Sequence, residues 1–175
     1  MSTLAVNAIE NLSGAHDITG MGKILQVVQT TKTDTFSVAT TMNGSAGWTD
    51  ITGMSVSITP SAASSKVLIM TTGRTSATNH TVVRLVRGST AIAIGDAEGS
   101  SRTRSSTGDL GVSGGWQNQN ASIIWLDSPN TTSSTTYKMQ IASANTSYFN
   151  RQVSDSDHIV YNRSASAITV MEVAA

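Results

Sequence analysis

Short runs in which apolar and polar residues alternate, separated by turn-forming residues, extend over most of this 175-residue chain. Residues 135–142 (TTYKMQIA) place Tyr137, Met139 and Ile141 on one face, and such alternation predicts a half-buried β-strand. Further strands are predicted at residues 23–38, 48–60 (two strands split at Gly53), 81–87, 90–94, 147–152 and 167–173. Gly88-Ser89 is a two-residue hairpin signal. Because no helical period is sustained, the pattern predicts an all-β antiparallel β-sandwich or jelly roll.

Two runs are apolar at consecutive positions, residues 66–72 (KVLIMTT) and 121–126 (ASIIWL). Such runs predict strands that are buried on both faces. A two-sheet sandwich buries only the inner face of each strand, so the outer face needs another cover. Burial against identical copies would supply that cover, and the chain is therefore predicted to form an obligate oligomer.

The first 22 residues differ in pattern from the rest of the chain. Leu4, Val6, Ile9 and Leu12 give residues 1–14 enough apolar surface to favour burial, but the segment is too short to bury that surface by itself. A glycine-punctuated stretch then leads to the β pattern. We interpret residues 1–22 as an extended N-terminal docking leader with a glycine hinge, and residues 23–175 as one knob domain.

Composition and charge exclude several classes of function. The chain has 11 basic and 11 acidic residues, whereas a nucleic-acid-binding protein usually has a basic excess. It has no cysteine, and therefore no disulfide or thiolate chemistry. No secretory signal and no apolar run long enough to span a bilayer are present, so we expect neither signal-dependent export nor membrane insertion.

Several segments resemble virion proteins of marine bacteriophages. The leader MSTLAVNAIENLSG is similar to the N-terminal segments of many tail-fibre and virion structural proteins. The body resembles a group of phage virion proteins in four blocks: GKILQVVQTTKTDTFS (22–37), SVSITPSAASSKVLIM (55–70), RLVRGSTAIAIGDAEGSSRTR (84–104) and SAITVMEVAA (166–175). Together these blocks cover about half of the chain and are distributed along it.

The resemblance implies a homotrimeric jelly roll, similar in outline to the complement C1q and tumour-necrosis-factor group, mounted on a phage particle by its N-terminus. The leader would then dock on a portal, tail, baseplate or capsid protein, and assembly would take place in the bacterial cytoplasm. The core and trimer interface are expected at Trp125, Tyr137, Met139, Ile141 and Val170. No cofactor is expected.

Candidate binding residues are few. Trp116 lies in an amide-rich loop with Gln117, Asn118 and Asn120, a combination suited to stacking on a sugar ring and hydrogen-bonding its hydroxyls, or to folding back on the domain. Trp48 is a weaker candidate for the same glycan contact. Asp155, Asp157 and His158 offer cation ligands, but their spacing favours a solvated turn, and no metal site is predicted. Asp96, Glu98, Arg102 and Arg104 are candidates for an ion-pair cluster between subunits.

No catalytic arrangement emerges from the sequence. His16, His80 and His158 lie in polar stretches without a nucleophile-elbow motif, and the acidic residues occur mainly in turns. The predicted function is therefore non-enzymatic: a phage appendage that is anchored by its leader and contacts host-surface glycans through its knob. The alternative is a capsid decoration protein that stabilises the head. A polysaccharide-degrading tail enzyme is a third class, which the residue inventory disfavours.

Overall fold

The computed structural model describes residues 22–39, 42, 47–99, 101–112, 114 and 117–175. The predicted leader residues Leu4, Val6, Ile9 and Leu12 lie outside the described residues, as does Trp116. All regular structure in the described part of the chain is β. The strands are β1 (Ile24–Lys32), β2 (Phe36–Ala39), β3 (Thr49–Ile58), β4 (Lys66–Thr72), β5 (Arg74–Ala77), β6 (Thr81–Arg87), β7 (Thr90–Ile92), β8 (Gln119–Asn120), β9 (Ile123–Asp127), β10 (Thr135–Ser143), β11 (Thr146–Phe149) and β12 (Ser166–Val173).

The strands form three antiparallel sheets of four strands each. The first sheet has the order β1-β12-β4-β9, the second β3-β10-β6-β7, and the third β2-β11-β5-β8. β2, β5 and β8 of the third sheet each adjoin a strand of the first sheet in the chain, across breaks at residues 33–35, 73 and 121–122. The prediction of an all-β antiparallel architecture is confirmed.

One hydrophobic core lies between the sheets. Tyr137, Met139 and Ile141 of β10 are fully buried, as the alternation of residues 135–142 predicts. Ile69 of β4 and Val170 of β12 contribute to the same cluster from the first sheet. The Gly88-Ser89 hairpin is also present: Gly88 has a φ of 59°, and Arg87 pairs with Thr90 across the two-residue turn.

A polar clasp joins the end of β9 in the first sheet to β6 and β10 of the second sheet. Arg87 Nη1 of β6 lies 2.9 Å from Asp127 Oδ2 of β9, and the Tyr137 hydroxyl donates to the same carboxylate oxygen over 2.7 Å. Asp127 is nearly buried and Tyr137 fully buried, so both groups need these partners. Burial and the adjacent Asp127 carboxylate raise the pKa of Tyr137 far above its usual value, which keeps its proton on the hydroxyl.

The prediction that Gly53 separates two strands is wrong. β3 runs through Gly53, whose φ of 84° lies in the left-handed region. The register against β10 shifts between Lys138 and Gln140, so the extra residues of β3 form a bulge without ending the strand. The buried Lys32 side chain packs against Gly53. A Cβ added at this glycine would lie 3.6 Å from the nearest Lys32 atoms, which is an ordinary contact distance.

Candidate functional site

The outer face of the first sheet is largely apolar, and we call it the association face. One row crosses all four strands, with Val27 paired to Met171, Met171 to Leu68 and Leu68 to Leu126. In the next row Thr169 pairs with Met70, and Met70 with Ile124. Several of these side chains are exposed, Val27 by 56% and Ile124 by 68%. Lys66, the first residue of β4, is the one ionisable side chain of that strand. It pairs with Val173 and lies at the margin of the association face.

The association face is comparable in size to the largest apolar patch that a soluble monomer usually exposes. Four strands about 4.8 Å apart that average about seven residues, at about 3.4 Å per residue, cover about 450 Å² of the sheet, polar positions such as Gln29 and Thr169 included. The largest apolar patch of a typical monomer covers about 300–600 Å², and patches of this size often mark contacts with other proteins. The runs 66–72 and 121–126 therefore bury one face in the single chain and expose the other.

The residues predicted for the core and trimer interface occupy two different environments. Tyr137, Met139, Ile141 and Val170 are fully buried within one chain, which leaves them no surface to offer a neighbour. Trp125 lies on β9, at the edge of the first sheet, and is 44% exposed. The outward members of the association face were missed, although every second residue of the two doubly apolar runs points outward.

The loop before β8 brings part of the predicted glycan site into a polar pocket of about 530 Å³, which we call the amide pocket. Asn118 Nδ2 donates to Asn162 Oδ1 over 2.6 Å, and Asn118 Oδ1 and Ser164 Oγ are buried without a hydrogen-bond partner among the described residues. The lining residues are Arg74, Gln117, Asn118, Gln152, Asn162, Arg163 and Ser164. Unpartnered buried polar atoms suit the pocket to a hydroxylated ligand.

The other predicted glycan residues lie elsewhere. Asn120 is the last residue of β8, and its side-chain oxygen accepts from Ser122 Oγ over 2.7 Å. Trp48 lines a second pocket of about 280 Å³, together with Arg84, Arg102 and Arg104. The Arg84 guanidinium lies 4.2 Å from the centre of the Trp48 ring, in a cation–π contact. The structure therefore separates Trp48 from Gln117 and Asn118.

The charged candidates show little clustering within the chain. Asp155 forms ion pairs with Arg151 at 3.3 Å and Arg163 at 2.7 Å, so both of its carboxylate oxygens already contact arginine side chains. Among the described residues no three His, Cys, Asp or Glu side chains come together as a metal site. Of the four residues predicted to form an intersubunit cluster, Arg104 donates to the Gly95 carbonyl over 2.7 Å. No helix in the described part is long and apolar enough to cross a bilayer.

The structure reveals a histidine–carboxylate pair that the sequence analysis missed. His80 Nδ1 hydrogen-bonds Asp109 Oδ2 across 29 residues of sequence, and the Thr81 amide donates to Asp109 Oδ1. Although burial raises the pKa of Asp109, hydrogen bonds from two backbone amides and from His80 hold it below its usual value. The pair is largely exposed, and no described hydrogen bond joins the His80 ring to a serine hydroxyl.

No family model matches this sequence, and no curated protein matches it. Solved structures of the Gx strain of infectious bursal disease virus and of an infectious bursal disease virus VP2 subviral particle align with 85% of the chain at 13% and 12% identity. Both have a TM-score of 0.39, and the chain spans about 40% of the length of those proteins. Scores of this size do not establish a shared fold, so the proposals for this chain rest on its own residues.

Proposed function

We propose that this chain is a phage virion structural protein, a homotrimeric appendage anchored by residues 1–22 that presents its knob for host-surface adhesion. The association face carries the proposal, because a nearly uncharged apolar sheet face of this size favours contact with another copy of itself. A homotrimer would bury one such face per protomer around a common axis.

The strand order supports a jelly roll for the knob. If strands that continue one another are taken together, the chain alternates between the first and second sheets except at the β6–β7 hairpin, and its first and last strands, β1 and β12, pair side by side. Such closure of eight antiparallel strands into two four-stranded layers is the jelly-roll arrangement. The four sequence blocks that resemble phage virion proteins are consistent with this architecture and with a place in the virion.

Oligomer formation is tested first, by sedimentation of the full-length protein. We expect a mass of three chains of 18.2 kDa each. Ile124→Lys places a charge on the most exposed apolar side chain of β9 in the association face and should yield folded monomers, because a buried unpaired charge is strongly disfavoured. Thr52→Lys, at an exposed position of β3 in the second sheet, is the matched control and should remain trimeric. A monomeric wild-type protein would contradict the proposal.

The anchoring role of the leader is tested by deleting residues 1–20. The shortened protein should remain a soluble trimer but fail to join the virion. If the association face is instead covered by the apolar residues of its own leader, the same deletion will produce aggregation or a new oligomeric state. Incorporation of the shortened protein into particles would refute the docking role.

Adhesion is distinguished from capsid decoration by locating the protein on the particle. Electron microscopy of virions labelled at the knob should show it at the tail or baseplate if it is an appendage, and distributed over the head if it is a decoration protein. The isolated protein should also bind host cells, through trivalent contacts that are individually weak. Asn118→Ala in the amide pocket should reduce cell binding, whereas Asn145→Ala, an exposed asparagine outside that pocket, should not.

A further inference from the structure

The pocket beside Trp48, which we call the arginine pocket, lies on the outer side of the second sheet. Val83 and Leu85 of β6 point into the core, so Arg84 between them points outward. Trp48 immediately precedes β3, and the loop after β7 supplies Arg102 and Arg104. The pocket therefore brings together side chains from three separate parts of the chain around about 280 Å³ of space.

None of the three arginines has a carboxylate partner among the described residues. Arg84 Nε donates to the neutral amide oxygen of Gln140 over 2.8 Å. Asp50, whose charge acts on Arg84, is already engaged, because Lys138 Nζ and Gln140 Nε2 each donate to one of its oxygens over 2.7 Å. Arg104 Nε donates to the Gly95 carbonyl. The pocket therefore carries positive charge that the described side chains do not neutralise by direct contact.

A partly desolvated guanidinium without a carboxylate favours an external anion. Burial lowers the pKa of Arg84, and the nearby Asp50 only partly opposes that effect. Arginine binds carboxylate or phosphate oxygens through paired, charge-assisted hydrogen bonds, which are about twice as strong as neutral ones. A bound anion would restore the hydrogen bonds and the charge balance that the pocket lacks.

The rest of the lining indicates what the anion is attached to. The Trp48 ring and the apolar side chains of Ile94 and Ala97 offer no hydrogen bonds to a small inorganic ion beyond the indole N–H. They provide a surface against which a ring can pack. The volume lies near the lower limit of ligand pockets and accommodates about one sugar ring.

We infer that the arginine pocket binds an acidic sugar of the uronic-acid class, with its carboxylate held by Arg84 and Arg102 and its ring packed against Trp48. This site is distinct from the amide pocket, which Arg74 and Arg163 line. It also lies on the opposite sheet from the association face, so the proposed trimer would leave it uncovered.

Isothermal titration of the full-length protein with D-glucuronate tests the inference. Glucuronate should bind saturably, whereas D-glucose, which has the same ring without the carboxylate, and inorganic phosphate, which has charge without the ring, should each bind at least about 10-fold more weakly. Arg102→Gln, at an exposed position, should weaken glucuronate binding by about 10-fold or more, and Trp48→Leu should also weaken it. Lys23→Gln removes the same charge outside the pocket and should have no effect.

Each alternative result would overturn a stated part of the inference. Equal affinity for glucose would remove the role of the carboxylate, and equal affinity for phosphate would remove the role of the ring. An equal loss in Arg102→Gln and Lys23→Gln would indicate only general electrostatic attraction. Sedimentation of the same samples reports the oligomer separately, so a wild-type trimer that does not bind glucuronate would contradict the pocket and leave the proposed assembly standing.

Discussion

Asn150 offers the most direct test of how the third sheet is held to the first. It follows β11 directly, is fully buried, and has a φ of 61°. Its Nδ2 donates to the carbonyls of Lys32 at 2.9 Å and Asp34 at 3.1 Å, where β1 passes into β2. Its Oδ1 accepts from Ser166 Oγ at 2.5 Å, at the start of β12. The two carbonyl partners fix the orientation of the amide, because only its nitrogen can donate to them.

Replacing Asn150 with alanine removes all three side-chain hydrogen bonds. At about 1 kcal/mol net for each, the loss is about 3 kcal/mol, and alanine in a left-handed conformation adds about 1 kcal/mol. We therefore expect Asn150→Ala to lower the free energy of unfolding by about 4 kcal/mol. Asn150→Gly loses the same hydrogen bonds but tolerates the positive φ, so it should lose only about 3 kcal/mol. For a chain of this size the alanine variant should melt about 8–16 °C lower.

Equilibrium denaturation in urea, followed by circular dichroism, measures these differences. All variants are compared at one protein concentration, because association makes apparent stability depend on concentration. Asn145→Ala is the control, since Asn145 is exposed and such substitutions usually change stability by less than about 0.5 kcal/mol. A loss below about 1 kcal/mol for Asn150→Ala, or a glycine variant less stable than the alanine variant, would refute this account of the junction.

Three further substitutions test other features by the same denaturation assay. Glu172 is fully buried, and although burial raises its pKa, hydrogen bonds from Gln26 and Ser61 lower it to about 2, against about 4.5 in the unfolded chain. Its stabilising effect is therefore present above pH about 4.5 and is lost as pH falls toward 2, and Glu172→Gln should make stability fall less steeply across that window. Tyr137→Phe removes the hydroxyl that donates to the Asp127 carboxylate and should cost about 1–2 kcal/mol; an unchanged midpoint would contradict the clasp. Gly53→Ala should cost about 1 kcal/mol, because φ at Gly53 is 84° although space for a Cβ exists; equal stability would indicate that the bulge relaxes.

The strands with local signals were predictable from the sequence. β4 and β6 have the predicted bounds, and the alternation in β10 identified three residues of the core. β5 and β8 were missed because they are short and polar. Their residues become strands through pairing with distant segments, as when Arg74 pairs with Asn120. No local pattern records such a pairing.

The candidate site was predictable only in part, for a related reason. Gln117 and Asn118 were identified from their amide-rich loop. Asn162, which hydrogen-bonds Asn118, lies 44 residues further along the sequence and could not be assigned to the same site. Trp48 was proposed for the same ligand, and its separate position depends on its stacking with Arg84 from another strand. A sequence shows which polar and aromatic residues could bind a ligand. Which of them come together in one pocket depends on how the strands pair.

The two outer faces of the sandwich differ in a way that determines which side a partner covers. Across the second sheet Asp50, Gln140 and Arg84 form a continuous hydrogen-bonded row, with Lys138 bound to its acidic end. Covering this row would remove charged groups from water at substantial cost. Covering the association face removes mainly apolar side chains from water and is favourable by about 25 cal/mol per Å². A trimer built by this chain should therefore pack its first sheet inward and present its second sheet outward. The arginine pocket of each protomer would then stay open to solvent and to ligands.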